Sequence, residues 1–149
     1  LSEFALEEIN LDGVGRMLSL TPNDEVNSLA TLRFGEIFGR SHVFQLPPNT
    51  RKHSDEQEVS SHLSGRILFH PELNFDRISK IVSSDNDISV EVITEDHQPE
   101  EVEENQKDVP LFQITSNQEI QPYTVDNPPT LTVGNKLFYI SDVASLSQD

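Results

Sequence analysis

Residues 14–46 constrain the fold more than any other part of the chain, because they predict a strand, a helix and a second strand in close succession. The first strand is predicted over 14–20, a short and largely apolar run of the kind that is buried on both faces of a sheet. The second is predicted over 42–46, and the two prolines that follow it end the strand. Strand, helix and strand in this order favour parallel pairing with a right-handed crossover.

The helix between these strands carries start and stop signals. Thr21 supplies an N-cap hydroxyl, Pro22 fits the first helical position, and Asp24 sits where a capping-box acid would reach back. Gly39 is placed to end the helix. Apolar residues recur at helical spacing and predict a buried face. They are Val26, Leu29, Ala30, Phe34, Ile37 and Phe38.

Charge and composition exclude several classes of function. The formal net charge is −16 over 149 residues, which argues against binding nucleic acid or docking onto anionic lipid. No apolar run approaches the roughly 20 residues that cross a bilayer, so we predict a soluble chain without direct membrane insertion. The sequence has no cysteine, so disulfides and thiolate metal sites are excluded.

The rest of the chain predicts a second, smaller unit. The elements predicted there are a strand at 66–69, a helix at 73–82, and strands at 88–94, 111–115, 119–124, 131–133 and 136–141. Gly134-Asn135 predicts a tight turn between the last two strands. The acidic stretch 95–108 is interpreted as a mobile loop, since it holds too little apolar surface to fold alone. Short helices are also predicted at 1–10 and within 56–63.

These elements predict an α/β fold in two parts. An incomplete Rossmann-like βαβ unit occupies residues 1–48, and a polar linker follows at 49–64. A small α+β, β-rich subdomain then spans 65–142, and 143–149 form a loose tail.

No pattern of residues predicts catalysis. The five histidines do not have the spacing that places two imidazoles together on a helix, and we expect each to be exposed and solvated. No serine sits in a GxSxG elbow, and the acids of 95–108 do not follow the spacing of an EF-hand. We therefore expect no catalytic residues and no metal site, and we do not expect an enzyme.

Residues 18–46 resemble the second half of a TrkA-type, Rossmann-like module. The resemblance rests on Thr21-Pro22-Asn23-Asp24-Glu25-Val26-Asn27, on Phe38-Gly39-Arg40 and on Val43-Phe44-Gln45-Leu46. Such modules belong to the regulator-of-potassium-conductance family. The sequence of this stretch is most similar to the versions that are fused behind bacterial sodium/proton antiporters. Residues 63–141 resemble the companion C-terminal subdomain in pattern, with Gly134-Asn135 where that family has Gly-Asp.

The resemblance implies a regulatory role in ion transport. The chain would be the cytosolic C-terminal TrkA-type region of a bacterial monovalent cation (sodium)/proton antiporter, on the cytoplasmic side of the inner membrane. Its partners would be a second copy, forming a homodimer, and the transport domain of the same polypeptide. It would control transport through ligand binding or self-association. The alternative is a soluble nucleotide-binding subunit that gates a potassium channel or uptake system.

The nucleotide fingerprint of that family is absent. Gly13-Val14-Gly15 is a lone GxG that precedes a strand, so we interpret it as a turn and not as a phosphate-binding loop. No cofactor is expected unless the N-terminal half of the family's fold is supplied. By analogy, Thr21, Asn23 and Asp24 would lie near the adenine side of the crevice and are the candidate cofactor-binding residues, although capping of the helix also explains them.

Overall fold

The computed structural model describes residues 11–49, 65–83, 88–95 and 108–141, which form a parallel sheet, an antiparallel sheet and two α-helices. In chain order the elements are β1 (Met17–Ser19), α1 (Asp24–Phe38), a 3₁₀ turn (Arg40–His42), β2 (Val43–Gln45), β3 (Arg66–Ile67), α2 (Phe75–Ser83), β4 (Ile88–Val92), β5 (Val109–Ile114), β6 (Ile120–Pro122) and β7 (Lys136–Ile140). The predicted α/β class is confirmed. The predictions for 1–10, 56–63 and 143–149, and nearly all of the loop at 95–108, lie outside the described residues.

β1, β2 and β3 form the parallel sheet, with β2 in the centre. β1 pairs with β2 from Met17 opposite Val43 to Ser19 opposite Gln45, so the predicted parallel pairing across α1 is confirmed. All three residues of β2 are buried. β1 lies at the edge of this sheet, and Leu18 in its centre is 43% exposed, so the prediction of a first strand buried on both faces is wrong.

α1 begins two residues later than the sequence predicted. Asn23 is the N-cap, because its Oδ1 accepts a hydrogen bond from the Val26 N–H at 3.1 Å. The prediction of Thr21 as the N-cap is therefore wrong, and Pro22 precedes the helix instead of opening it. The predicted end is confirmed: Gly39 follows the last turn with a φ of 83°, a conformation that glycine adopts without strain.

The surface of α1 that packs against the sheet is small and polar. Its buried residues are Asn27, Ala30 and Thr31. The predicted apolar face is wrong apart from Ala30, since Phe34 and Phe38 are only half-buried. The most exposed of the predicted core residues are Val26 at 44%, Ile37 at 48% and Leu29 at 62%. The helix is rotated because β1 and β2 present polar side chains that Asn27 and Thr31 can bind.

The second sheet is antiparallel, with strands in the order β4-β7-β5-β6. A register shift between Pro110 and Phe112 interrupts the pairing of β5 with β7. The strands predicted at 66–69, 88–94, 111–115, 119–124 and 136–141 are confirmed as β3 to β7 with somewhat different bounds, and the helix predicted at 73–82 is confirmed as α2. The prediction at 131–133 is wrong, because those residues form no strand.

Gly134 explains that error. The Asn135 N–H donates to the Thr132 carbonyl at 3.0 Å and closes a tight turn in which Gly134 has a φ of 91°. The predicted turn is thus confirmed. However, the Gly134 N–H donates to the Ile93 carbonyl and the Ile93 N–H donates to the Asn135 carbonyl, both at 2.9 Å. This is the pattern of a glycine bulge against the strand of Ile93, so the turn does not join a hairpin.

Residues 120–125 connect the two sheets. β6 pairs with β5, and the pairing continues where the Tyr123 N–H donates to the Leu111 carbonyl at 2.9 Å. Two residues later the Val125 N–H donates to the Ile67 carbonyl at 2.9 Å, which places the same segment beside the end of β3. One extended segment therefore belongs to both sheets.

α2 covers apolar residues of both sheets. One cluster consists of Phe44, Leu46 and Leu68 from the parallel sheet and its neighbouring turn. A second consists of Leu73, Ile81, Val109, Leu111 and Ile140. Ile78 of α2 packs against both clusters, so a single helix face supports these two of the three apolar clusters of the described residues.

Gly65 allows α1 to approach the parallel sheet, and its substitution tests this contact. A Cβ at Gly65 would stand 2.8 Å from Thr31 Cγ2 and 2.9 Å from the Val43 carbonyl oxygen. Because the second atom is backbone, it cannot move aside easily, and Gly65→Ala is expected to destabilise the fold by about 1–3 kcal/mol. Urea unfolding followed by circular dichroism measures this.

Gly35→Ala is the matched control. Its Cβ would make an ordinary contact of 3.8 Å with Arg40 Cγ, within a helix where alanine is favoured over glycine by about 0.5–1 kcal/mol. Gly35→Ala should therefore be neutral or stabilising. Equal unfolding free energies for the two alanine variants would contradict the close approach at Gly65.

Candidate functional site

The three predicted cofactor-binding residues lie together between β1 and α1. Asn23 caps α1 as described above, and Asp24 Oδ2 accepts a hydrogen bond from the Asn49 N–H at 3.0 Å. Thr21 Oγ1 lies 2.7 Å from Asn27 Oδ1. Each side chain thus binds another part of the protein, and the role of Thr21, Asn23 and Asp24 in binding a cofactor stays a prediction.

Asn27 is the centre of this turn. Its Oδ1 accepts hydrogen bonds from Ser19 Oγ at 2.9 Å and from the Thr21 N–H at 3.1 Å, and its Nδ2 donates to the Thr21 carbonyl at 2.9 Å. The side chain is 2% exposed. Burying an amide side chain costs free energy because its polar atoms lose their contacts with water, and only well-formed hydrogen bonds offset this cost. The asparagine therefore fixes the angle at which the chain passes from β1 into α1.

A second polar pair continues this contact along α1. Thr31 Oγ1 lies 3.1 Å from Gln45 Oε1 of β2 and 2.9 Å from the Ser28 carbonyl. We call Ser19, Asn27, Thr31 and Gln45 the polar seam; all four are buried. Among the residues that the structure describes, no buried side-chain nitrogen or oxygen lacks a hydrogen-bond partner. Each fully buried side-chain nitrogen and oxygen of the polar seam thus has at least one hydrogen-bond partner within the protein.

A cavity of about 110 Å³ opens beside the polar seam. It is lined by Thr31, Leu32, Gly35, Glu36, Arg40, Val43 and Gly65. Pockets that hold cofactors or drug-sized ligands are usually about 300–1,000 Å³, so this cavity suits a few water molecules and is too small for a dinucleotide. Its two charged side chains are of opposite sign, so it does not select an anion.

Arg66 forms the main charged cluster at the junction of the two sheets. Its Nε donates to Asp126 Oδ2 at 3.2 Å, and its Nη2 donates to Thr124 Oγ1 and to the Asn127 carbonyl. The guanidinium also lies 5.6 Å from the centroid of the Phe44 ring, a cation–π geometry. A single arginine thus holds β3 against residues 124–127.

The pKa of Asp126 responds to this cluster. Partial burial of the carboxyl acts to raise its pKa, but hydrogen bonds from Arg66 and Thr124, and the positive charge of Arg66, outweigh that effect. The pKa therefore lies below its ordinary value of 3.8. The ionised carboxylate stabilises the fold, although its exposure to solvent weakens the interaction.

Gln113 organises a second buried polar cluster on the antiparallel sheet. Its Nε2 donates to Gln121 Oε1 at 2.7 Å and to the Thr130 carbonyl at 3.0 Å. Its Oε1 accepts from Asn135 Nδ2 at 3.1 Å. Gln113 is 1% exposed, and these bonds fasten the loop before β7 onto one face of the sheet. This cluster also supports the structure, since both polar atoms of the Gln113 side chain are hydrogen-bonded within the protein.

The remaining sequence predictions concern glycines and histidines. Gly13 lies in a turn closed by the Val14 N–H and the Leu11 carbonyl at 3.0 Å, so the interpretation of the GxG as a turn is confirmed. His42 and His70 are exposed as predicted, whereas His53, His62 and His97 lie outside the described residues. Within the described ranges no group of three or more His, Asp or Glu side chains could hold a metal ion.

Three comparisons place these features against known proteins. The chain matches no protein-family model, no curated protein and no solved structure. No helix in the described part of the chain is both long enough and apolar enough to span a membrane.

The sequence interpretation missed the polar seam, although a signal was present. Asn27 and Thr31 are four residues apart and flank Ala30, so they share one helix face. Gln45 likewise stands between apolar residues in a strand that is buried on both faces. Polar residues in buried positions of two neighbouring elements indicate a hydrogen-bonded contact. A prediction of the buried helix face from apolar residues alone overlooks this contact.

Asn27→Ala tests the importance of the polar seam. The substitution leaves the Ser19 hydroxyl, the Thr21 N–H and the Thr21 carbonyl without their partner, and each buried polar group left unsatisfied costs about 1–3 kcal/mol. We therefore expect Asn27→Ala to lower the unfolding free energy by more than Asn23→Ala, which removes an exposed cap worth about 1 kcal/mol. Urea titrations of both variants provide the comparison.

Ser28→Ala is the control for Asn27→Ala. It changes a neighbouring residue of the same helix and retains the Ser28 carbonyl that Thr31 contacts. It should be close to neutral because alanine has the higher helix propensity. A cost for Asn27→Ala no greater than that of Ser28→Ala would show that the polar seam does not hold α1.

The Arg66–Asp126 pair predicts a dependence of stability on pH. Because folding lowers the pKa of Asp126, its contribution is complete above the unfolded pKa and is lost as the pH falls through the folded pKa. Asp126→Asn should therefore be less stable than the wild type near about pH 6, and the difference should shrink toward about pH 3. Urea midpoints across this range measure it.

An Arg66→Gln background controls for the many other carboxylates. Without the guanidinium, Asp126→Asn should change the slope of stability with pH much less, because only the hydrogen bonds from Thr124 and the backbone still lower the pKa of Asp126. A slope difference of undiminished size in this background would assign the effect to groups other than Arg66.

Proposed function

We propose that this chain is the cytosolic regulatory portion of a bacterial monovalent cation (sodium)/proton antiporter, attached to a membrane transport domain in the same polypeptide. It would not carry ions itself. It would bias the transporter between states according to its ligand occupancy or its self-association, since a module affects an equilibrium only through a differential interaction with the two states.

One observation carries this proposal. The stretch whose residues resemble the antiporter-fused modules, 18–46, folds as β1, α1 and β2, with β1 and β2 parallel and α1 packed across them. This is the supersecondary unit from which Rossmann-like sheets are built. The Rossmann-like assignment itself remains part of the proposal, because the parallel sheet of the described residues has only three strands.

The exposed apolar residues of this unit give further support. Leu18 and Leu20 at the sheet edge are 43% and 44% exposed, and Leu29 and Leu32 on the outer side of α1 are 62% and 39% exposed. Apolar surface of this kind is typical of a unit that packs against additional structure. A regulatory module that contacts another domain or another copy of itself needs such a surface.

The charge of the chain fits a position beside a membrane without binding to it. A net charge of −16 repels the anionic headgroups of the cytoplasmic leaflet. The contact with the transporter would then be made through protein surfaces, and the fold would remain free to change its association state.

Cation/proton exchange by the complete polypeptide tests the proposal. Everted membrane vesicles from cells lacking their own antiporters would report sodium-driven proton movement through a pH-sensitive dye. We expect deletion of residues 11–141 to preserve exchange and to shift the sodium concentration for half-maximal activity by about fivefold or more, the lower range of typical allosteric coupling.

A surface substitution separates regulation from misfolding. Leu29→Glu changes an exposed residue of α1 and should shift the same parameter, whereas Ser41→Glu adds the same charge at an exposed position in the 3₁₀ turn and should not. Absence of exchange activity in the complete polypeptide, or unchanged sodium and pH dependence after the deletion, would reject the proposed function.

A further inference from the structure

β4 lies at one edge of the antiparallel sheet and exposes an apolar row. Ile88, Val90 and Val92 are 48%, 53% and 50% exposed. Because side chains alternate along a strand, all three lie on the same face, next to Phe138 and Ile140 of β7. β4 contains no proline or lysine, the residues with which proteins commonly protect a sheet edge from pairing.

The backbone of the same residues faces away from β7. Ile93 exchanges hydrogen bonds with Gly134 and Asn135 at the start of β7, so its N–H and C=O point toward that strand. Residues of an antiparallel strand alternate between pointing at one neighbour and at the other. Ile88, Val90 and Val92 therefore direct their N–H and C=O groups to the side where the described residues place no strand.

We propose that β4 pairs with β4 of a second copy of this chain, antiparallel, about a twofold axis that passes through Val90. The two four-stranded sheets then become one continuous sheet of eight strands. An interface with twofold symmetry requires a surface that is complementary to itself, and β4 meets this condition in one register.

That register is selected by hydrogen bonding and by charge. With the axis at Val90, Val90 faces the partner's Val90 and Ile88 faces the partner's Val92, so every outward residue of β4 forms a hydrogen-bonded pair. These pairs of β-branched side chains also contact one another on the apolar face. A shift of the axis by one residue in either direction pairs one outward residue of β4 with a residue outside β4.

Glu91 excludes one neighbouring register. In the proposed pairing Glu91 lies opposite the partner's Ser89, a neutral hydroxyl. With the axis at Glu91, two carboxylates would face each other directly, and like charges at such positions are destabilising. A chain with a net charge of −16 gains most from the register that separates these acids. A second copy provides this arrangement by symmetry, whereas a foreign strand would have to match it.

This inference deepens the proposed function by naming the surface for self-association. It rests on the geometry of β4 alone and does not require the antiporter assignment. Measurement of the association state of the purified chain and measurement of cation/proton exchange can therefore fail independently of each other.

Sedimentation equilibrium of the 149-residue chain is the first test. We expect the mass to rise with concentration from 16.8 kDa and to level off at twice that value. Val90→Lys places two ammonium groups opposite each other and should weaken the dimer by about tenfold or more. Val90→Pro removes an outward N–H while sparing the bonds to β7, and it should do the same. Circular dichroism and urea unfolding verify that both variants fold.

Val14→Lys is the matched control. It makes the same substitution at a valine that is 45% exposed, close to the β6 edge of the antiparallel sheet and so away from β4, and it should leave the dimer intact. Loss of the dimer with Val14→Lys and not with Val90→Lys would assign the interface to another surface and overturn the proposal.

Substitutions at Ser89 test the register. Ser89→Lys should tighten the dimer, because each lysine would face the partner's Glu91, and added salt should reduce the gain. Ser89→Glu should loosen it through repulsion of the same carboxylate. The opposite order of affinities would overturn the proposed register. A wild-type chain that stays monomeric, or one that grows beyond a dimer, would overturn the pairing itself.

Discussion

The backbone pairing between the end of β3 and residues 123–125 is the contact on which the whole described structure depends. Leu68 forms an antiparallel bridge with Thr124, and Leu68 is 0% exposed. Arg66 and Asp126 reinforce this bridge at its outer end. Because residues 120–122 belong to the antiparallel sheet, neither sheet can lose this segment without exposing the core of the other. The two sheets of the described residues therefore depend on each other for stability, and the predicted division of the chain into two parts stays a prediction.

The sequence predicted the order and type of most elements because local signals agree with the final structure. Prolines end β2, glycines mark the end of α1 and the turn before β7, and alternating residues mark β4. These signals act over a few residues and need no knowledge of distant partners. The parallel pairing of β1 with β2 followed for the same reason, since a strand–helix–strand unit has few ways to pack.

The errors arose where a distant partner decides the outcome. The sequence predicts Thr21 as the N-cap of α1. In the structure the Thr21 hydroxyl binds Asn27 instead, and Asn23 is the N-cap. The apolar face of α1 was inferred from periodicity, but the polar side chains of Ser19 and Gln45 select the other face. Residues 131–133 have side chains that favour a strand, but the turn and bulge at Gly134 prevent them from forming one. The roles of the candidate site residues were the hardest to predict, because these residues make contacts that exist only in the folded chain.

The polar seam has a consequence for movement. Apolar helix contacts are interchangeable over small displacements, so such helices can slide while remaining packed. Hydrogen bonds between buried amides and hydroxyls have narrow limits of distance and angle, and a shift of α1 by one residue would break every bond of the seam at once. The hydrogen bonds of the seam therefore define one register of α1 on the parallel sheet, from which a small sliding movement costs more than it would across an apolar contact.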